Sequence, residues 1–508
     1  MKTRILSAKL PSLAIAAMLL LAGAGHALAD NVLRIAREQD SSTFDPIYTI
    51  LAPDVWVLNQ FYSTLVRANE DATDIVPDLA ESWEVSPDGL TYTFRLREAK
   101  FSDGTSVKAS DVVFSLARVR DEETSPMRSL FQVIETMETP DDRTIVLKLS
   151  KPYTPLMSAL AMFAASIVPE HAVKELGERF GEQPVGSGAF TLKEWARGDK
   201  VVLERNPHYW EAGLPKLDGV EWIYVADDNT RTLKLQAGEV DAATFIPWNQ
   251  ITELQGNPDI KVQLDKSTRM DHILVNHAHE PLGNKNVRKA LNMAIDQQAI
   301  VDVVTFGYGK PANSFFPLDG MDYNPDNPNY PYDPEKAKAM LAAEGVKDLT
   351  LNFVLVAGDS AHDQIGVLVK DQLARIGVTV NLTKLEAGQQ WDALIAGDYD
   401  IGVMWWVNDI FDPDQKAQFC VSGDPENRSY YTNYRNPEVT RLVQEAAVEL
   451  DPGKRKAMYF EIQRMAKDDV HWIDLYYSPF RNASRKTVSG FVQNPLGRYM
   501  LETAVKSE

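Results

Sequence analysis

One cysteine, Cys420, occurs in 508 residues, so the chain has no disulfide framework. That lone thiol reads as a small buried apolar group rather than a reactive centre. Four patterns of reactive sites are also missing: GxSxG, HExxH, GxxxxGK(S/T) and GxGxxG. Their absence removes the serine nucleophile elbow, the zincin helix, the phosphate-cradling loop and the dinucleotide turn. Acid pairs such as Asp141-Asp142 sit in turns and read as solvated, which leaves a two-carboxylate secreted hydrolase as the enzyme class open to this chain. After the first 29 residues no stretch approaches the roughly 20 apolar residues that span a bilayer. Positive charge is in deficit too: 52 Lys and Arg against 72 Asp and Glu give −20. A chain so acidic argues against binding nucleic acid or anionic lipid.

What is present begins with an export signal. Lys2, Arg4 and Lys9 precede the apolar run Leu13 to Ala24, and Ala27-Leu28-Ala29 offers a small-residue cleavage site before Asp30. The run is too short for a membrane anchor, and no cysteine stands at the cleavage site to carry a lipid. A freely diffusing, monomeric periplasmic protein is the expected product. Cleavage removes three positive charges and no acids, leaving 479 residues at −23 from the 508 at −20. That length exceeds one core, so two or three lobes are expected.

The texture changes along the chain. Up to about residue 270 short alternating strands dominate, with Tyr92, Phe94 and Leu96 on one face and Ile145, Leu147 and Leu149 on another. From about Asn284 strands alternate with helices. Asp333-Pro334 reads as an N-cap with proline at the first helical position, and Gly345 closes that helix. Strands are predicted over Leu349–Val356, Val378–Leu382 and Tyr399–Trp406, with helices over Asp363–Ile376 and Gln390–Ala396. Such βαβ order implies parallel neighbours in a sheet.

Residues Pro184 to Trp210, PVGSGAFTLKEWARGDKVVLERNPHYW, read as a hairpin. Gly186 and Gly188 are expected to supply positive φ, Arg197-Gly198-Asp199 the turn, and Tyr209 and Trp210 aromatic anchors. This stretch resembles the signature hairpin of the family 5 extracellular solute-binding proteins, the dipeptide, oligopeptide and nickel binders of ABC transporters. Four segments agree in order: Leu79–Val119, LKLQAGEVD at Leu233–Asp241, VRKALNMAIDQQAIV at Val287–Val301, and Tyr330–Gly345. The resemblance implies an α/β, bilobal periplasmic-binding-protein clam-shell of type II. Lobe one would span 30–270 with an extra subdomain at about 50–185, lobe two 271–480, and 481–508 would return to lobe one. It further implies a carrier that hands its solute to permease subunits at the inner membrane, without a cofactor or covalent chemistry. A di- or oligopeptide is the expected cargo. An opine, a glycoside, a nickel complex or haem is the alternative.

The candidate ligand segment is MWWVNDIFDPDQ, Met404–Gln415. It follows an apolar strand, and the carboxyl ends of such strands border ligand crevices. Trp405, Trp406 and Phe411 offer apolar walls, with Asn408 between them. Adjacent residues on a strand face opposite ways, so one tryptophan, Trp406, is expected in the cleft and Trp405 in the core. Peptide-binding members carry Trp-x-x-Asp-x-x-Asp-Pro, and the match at Trp406, Asp409, Asp412 and Pro413 implies that Asp409 receives a ligand ammonium. A cation entering a closed cleft needs such a partner. Asp412 and Asp414 read as turn builders. Tyr48, from the loop Asp40–Thr49, is the candidate from lobe one, and Phe316 a second wall in lobe two. Asp45, before Pro46, reads as structural. Dipeptide-type members carry an arginine clamp before the helix at 363–376, but here the sequence is Ala361-His362-Asp363-Gln364. His272, His277 and His279 are the histidines a metal carrier would use, and without carboxylates at ligand spacing they read as ordinary strand-end residues; no metal is expected.

Overall fold

A computed structural model describes residues 31–318, 320–423 and 429–507. The expected export signal and its expected cleavage site before Asp30 lie outside the described residues. Two large sheets carry the architecture. The first has seven strands in the order Ile260–Asp265, Phe480–Arg485, Ala242–Ala243, Val32–Arg37, Gly219–Tyr224, Lys200–Arg205 and Phe190–Ala196. The second has six, in the order Lys310–Pro311, Trp472–Tyr477, Met270–Val275, Ile401–Trp406, Thr350–Val356 and Thr379–Leu385. The chain passes from the first sheet to the second through residues 266–269 and returns through 478–479. The molecule is therefore a type II two-lobed clam-shell with paired crossings.

A four-stranded antiparallel sheet, Ala80–Val85, Thr91–Leu96, Thr144–Leu149 and Ile134–Asp141, belongs to the first lobe. Period-two alternation builds its core face. Tyr92 opposes Leu147 and Phe94 opposes Ile145, and all four are buried. In the second lobe the predicted βαβ order appears as parallel pairing of Thr350–Val356 with both Thr379–Leu385 and Ile401–Trp406. Helices Pro334–Ala343, Ser360–Arg375 and Ala387–Ala396 start at or close to their predicted places. Asp333 caps the first of them, accepting the Lys336 amide hydrogen at 2.9 Å. All three parallel strands end on the same edge, and the loops leaving that edge build the site. Among the described residues no helix is long and apolar enough to cross a membrane.

The hairpin forms as Phe190–Ala196 paired with Lys200–Arg205, with Gly198 at φ +73° in the turn. One expectation is corrected: Gly186 and Gly188 do not adopt positive φ. They are glycine because the backbone of the helix Ala52–Phe61 lies against them. A Cβ at Gly186 would fall 2.2 Å from the Phe61 carbonyl oxygen, and one at Gly188 2.4 Å from that of Gln60. The Gly188 amide donates to the Phe61 carbonyl at 2.8 Å, which fixes that contact. Gly188→Ala should cost about 3 kcal/mol in urea unfolding, because backbone must move to admit the methyl. Gly198→Ala should cost only about 1 kcal/mol, from left-handed backbone strain alone.

Candidate functional site

The lobes are held shut by contacts at separate places on the rim. At one, the Asp228 carboxylate of lobe one accepts the Ser360 hydroxyl at 2.6 Å and its amide hydrogen at 3.2 Å. The Asp228 amide in turn donates to the Gly358 carbonyl at 3.2 Å. Gly358, at φ +78°, lets the chains approach, since a Cβ there would lie 3.3 Å from the Ala226 carbonyl oxygen. The Tyr224 hydroxyl meets Glu386 at 3.4 Å nearby. At the other place the buried Tyr153 hydroxyl donates to Asp414 at 2.8 Å.

Between the lobes lies a cavity, partly open to solvent, with about 170 Å³ of room for the centres of water-sized atoms. Asp409 borders it. Its Oδ2 accepts 2.6 Å from the Gln415 side-chain amide, and its own amide hydrogen goes to Gln415 Oε1 at 3.2 Å. No Lys, Arg or His pairs with it among the described residues. Burial without a counter-charge pushes its carboxyl up to about 7, the Gln415 bond only partly offsetting the loss of water. A carboxylate so placed can accept a cation.

The cavity floor is a stack of rings and guanidinium groups at the crossings. The Arg269 guanidinium sits 4.5 Å from the Trp405 ring centre and 4.9 Å from that of Phe245. Arg481 continues the stack, 5.4 Å from Phe245 and 4.6 Å from Trp248. Phe245 holds a φ of +47°, a strained conformation for an aromatic residue. Two guanidinium groups border the cavity, and the buried Nη1 of Arg269 has no protein partner among the described residues. Arg269 forks onto Asp271 at 2.7 and 3.0 Å. Arg231 donates to the carbonyls of Val225, Ala226, Thr244 and Phe245.

The structure places the sequence-chosen residues unevenly. Asp409, Trp405 and Trp406 border the cavity together. Both tryptophans reach it, instead of one: Trp405 is half-buried over Arg269, while Trp406 is buried with its ring 4.8 Å from Tyr430. Asn408 is buried and off the cavity, its amide held by the Thr268 hydroxyl at 3.0 Å. Phe411 is half-buried and also off it, because the Asp412-capped helix Pro413–Val421 carries the chain away. Tyr48 is 47% exposed on the outer surface. Asp45 forks onto Arg118 at 2.7 and 3.3 Å, and buried Asp54 binds the Ser42 and Thr49 hydroxyls, so the loop folds into the lobe and Tyr48 turns outward. Lobe one lines the cavity instead with Ile50–Pro53, Val55, Trp56 and Phe245. Phe316 is core: fully buried, it packs on Phe315 at 4.7 Å and Tyr459 at 5.6 Å, with Ser314 bonded to Gln463 holding the loop inward.

Asp412 and Asp414 are structural. Asp412 caps its helix and pairs with buried Arg455 at 2.7 Å. Cys420 is buried, and burial pushes its thiol up to about 12. The three histidines serve separate partners: His272 stacks on Trp472 at 3.8 Å, His277 contacts the His471 carbonyl, and His279 contacts Asp400. Among the described residues no three His, Cys, Asp or Glu side chains are grouped to hold a metal. Reasoning from sequence missed Asp359, His362, Glu386 and Trp391. The signal was available, since all four follow the carboxyl ends of two predicted parallel strands, the rule that found Asp409.

A cavity between lobes joined by two crossings, with a carboxylate in its wall that has no counter-ion among the described residues, is the arrangement of a solute-binding protein. The family model for bacterial extracellular solute-binding proteins, family 5 (middle), matches residues 74–428, and the chain belongs to that family. It is 31% identical over 484 residues to the probable D,D-dipeptide-binding periplasmic protein DdpA of Escherichia coli K12, covering 92% of this chain and 93% of that one. Against the glutathione-binding protein GsiB of the same strain it is 30% identical over 495 residues, 96% of each. The structure superposes with a TM-score of 0.89 on the ABC transporter-associated periplasmic binding protein DppA of Helicobacter pylori in complex with the peptide STSA, at 25% identity and covering 94% and 98% of the two chains.

Removing the rim contact should favour the open form. Asp228→Ala deletes both bonds to Ser360, and ligand affinity should fall about five- to tenfold, the worth of one to two hydrogen bonds. Small-angle scattering of the unliganded variant should show a larger radius of gyration with unchanged circular dichroism; an unchanged radius would mean that this contact does not hold the lobes.

Proposed function

We propose that the protein is the periplasmic capture component of an ABC importer and that its cargo is a small solute with a primary ammonium group, of di- or oligopeptide type. The observation that carries this reading is Asp409: half-buried in the cavity wall and without a counter-ion among the described residues. An ammonium donating to it restores the electrostatic solvation lost on closure, by a charge-assisted bond worth about 1.5–3 kcal/mol. Trp405 and Trp406 supply rigid apolar area for the body of the solute. Closure shuts water out, so a solute with no cation for Asp409 leaves a buried charge unpaired and is rejected. The closed form is then what the permease meets, after export and removal of residues 1–29. The relatives named for D,D-dipeptide and glutathione binding, and the neighbour solved with a tetrapeptide, support this choice of cargo.

Asp409→Asn separates the anchor from the fold. Calorimetry with a panel of di- to pentapeptides should show a loss of about tenfold or more, the cost of losing a charged hydrogen bond; unchanged affinity would sink the anchor. Stability should move the other way. The folded carboxyl titrates near 7 and the unfolded one near 3.8, so the empty wild type is penalised increasingly as pH rises from about 4 to about 7. Empty Asp409→Asn should therefore melt above wild type at alkaline pH, by an amount of order 3 kcal/mol, and the gap should close near pH 4.

Binding carries a matching pH signature. An ammonium holds Asp409 ionised and lowers its value in the complex. Wild-type affinity should thus be full above pH 7 and decline below it, with protons released on binding when calorimetry is repeated in buffers of different ionisation heat. No proton release near pH 6 would count against the assignment.

A further inference from the structure

The unmet hydrogen bonds of the cavity wall are all of one kind. Among the described residues that line it, three side-chain atoms are buried without a partner: Nη1 of Arg269, Nε2 of His362 and Nε1 of Trp406. Guanidinium and indole nitrogens only donate. The histidine nitrogen is a donor too, because the Val356 amide donates to Nδ1 at 3.1 Å and so leaves the ring proton on Nε2. None of the three residues is more than 7% exposed. What the wall lacks is an acceptor, and a buried donor left alone is costly.

The sheet brings these donors to one edge. Met270–Val275 runs antiparallel to Ile401–Trp406, with Met270 opposite Trp406, so Arg269 stands at the edge where Ile401–Trp406 and Thr350–Val356 end. Asp409 follows the first of those two strands and His362 the second. The Arg269 guanidinium lies over the Trp405 ring at 4.5 Å and acts on Asp359, whose carboxylate also accepts the His362 amide hydrogen at 3.0 Å. Arg269 and His362 therefore converge on the surroundings of Asp359. Charge decides which acceptor suits them. Arg481 joins Arg269 at the floor, and Asp271 is the acid ion-paired there among the described residues. Burial and the charge of Arg269 hold the Arg481 guanidinium below its ordinary value, the mark of like charges side by side. Burial would raise the Asp359 carboxyl, but His362 and the guanidinium groups of Arg481 and Arg269 hold it down to about 2. The Asp359 carboxylate is spent on the helix cap, accepting the Ala361 amide hydrogen at 2.8 Å as well. Glu386 is exposed, where water and salt screen it.

We propose that Arg269 and His362 together receive the carboxylate of the cargo, and that the cargo is a zwitterionic peptide-like solute with its ammonium and its carboxyl group both free. Nε and Nη2 of Arg269 are taken by Asp271 at 3.0 and 2.7 Å, so the arginine meets the ligand with Nη1 alone. Nε2 of His362 donates the second bond. A guanidinium delivered by the crossing between the lobes thus stands in for the clamp that is missing before the helix at 363–376. The inference rests on Asp409 as the ammonium anchor and names the other end of the same solute. A ligand without a carboxylate leaves both donors buried and unmet, and is rejected on that account.

The test is calorimetry on the mature protein at physiological salt with di- to pentapeptides, each in three forms: free, C-terminal carboxamide and N-acetylated. The free peptide that binds best should bind at least about tenfold tighter than its own carboxamide, the worth of a charge-assisted bond. The full chain's charge of −20 would by itself favour the more cationic carboxamide, so the expected preference reports the site. Arg269→Lys keeps a cation for Asp271 but lacks the spare nitrogen, and it should shrink that ratio at least about threefold. His362→Phe should shrink it as well. A carboxamide binding as tightly as its acid, or a ratio that neither variant changes, would overturn the proposal; the wild-type comparison stands even where a variant does not fold. The acetylated series reads Asp409 separately: if acetylation costs no affinity, the anchor falls whatever the carboxamides do. No binding of any free peptide would overturn both.

Discussion

Closing a cleft over a carboxylate takes it largely from water, and the rest of this structure is arranged around the fact that among the described residues no protein cation repays that loss at Asp409. An unpaired ion in an enclosed space opposes closure. The rim contacts at Asp228–Ser360 and Tyr153–Asp414 favour it. The balance between these terms is where a solute acts: a cation at Asp409 cancels the opposing term and leaves the favourable contacts unopposed. Selection and closure are then one equilibrium, because a ligand shifts a two-state system only by its differential affinity for the two states. Neighbouring Asp414 shows the contrast. It too is pushed up to about 7, by burial and by the charge of Asp412, but Tyr153, Gln418 and Arg455 surround it, so it serves the rim rather than a ligand.

The crossings supply the rigid floor against which this balance operates. Arg269 stands at the end of one crossing and Arg481 just after the other, and each guanidinium lies over Phe245. Rings and cations from both lobes thus interleave where relative motion is smallest. Asp271 takes Arg269 in an ion pair, and the Ile246 carbonyl accepts from Arg481 at 2.8 Å. A floor built this way presents aromatic area to a solute, with guanidinium groups stacked against the rings.

Much of the second lobe was legible in the sequence because its signals are local. Asp333-Pro334 caps a helix wherever it occurs, and the apolar runs at 350–356 and 401–406 are long enough to declare themselves buried strands. Asp409 and the tryptophans follow from the position of a strand end. The errors have a common cause, which is that they depend on what lies opposite. Gly186 and Gly188 look like turn glycines until the helix Ala52–Phe61 is placed against them. Tyr48 looks like a cleft residue until Asp45 and Asp54 draw its loop inward. Phe316 is indistinguishable in sequence from a wall residue, yet Phe315 and Tyr459 enclose it. His362 carries no motif at all. Its significance appears only when a backbone amide from the preceding strand claims one ring nitrogen and strands the other.

The contact between Gly188 and the Ala52–Phe61 helix has a mechanical consequence. That helix presents its first turns, Ala52, Pro53, Val55 and Trp56, to the cavity, while its last residues bear on the glycines. Ten residues of helix form a rod about 15 Å long, stiff enough to pass displacement from one end to the other. A methyl group added at the far end would act as a wedge under a lever, moving the wall that meets the cargo without touching any residue that does. One wall of the cavity is thus seated on a contact that no solute visits.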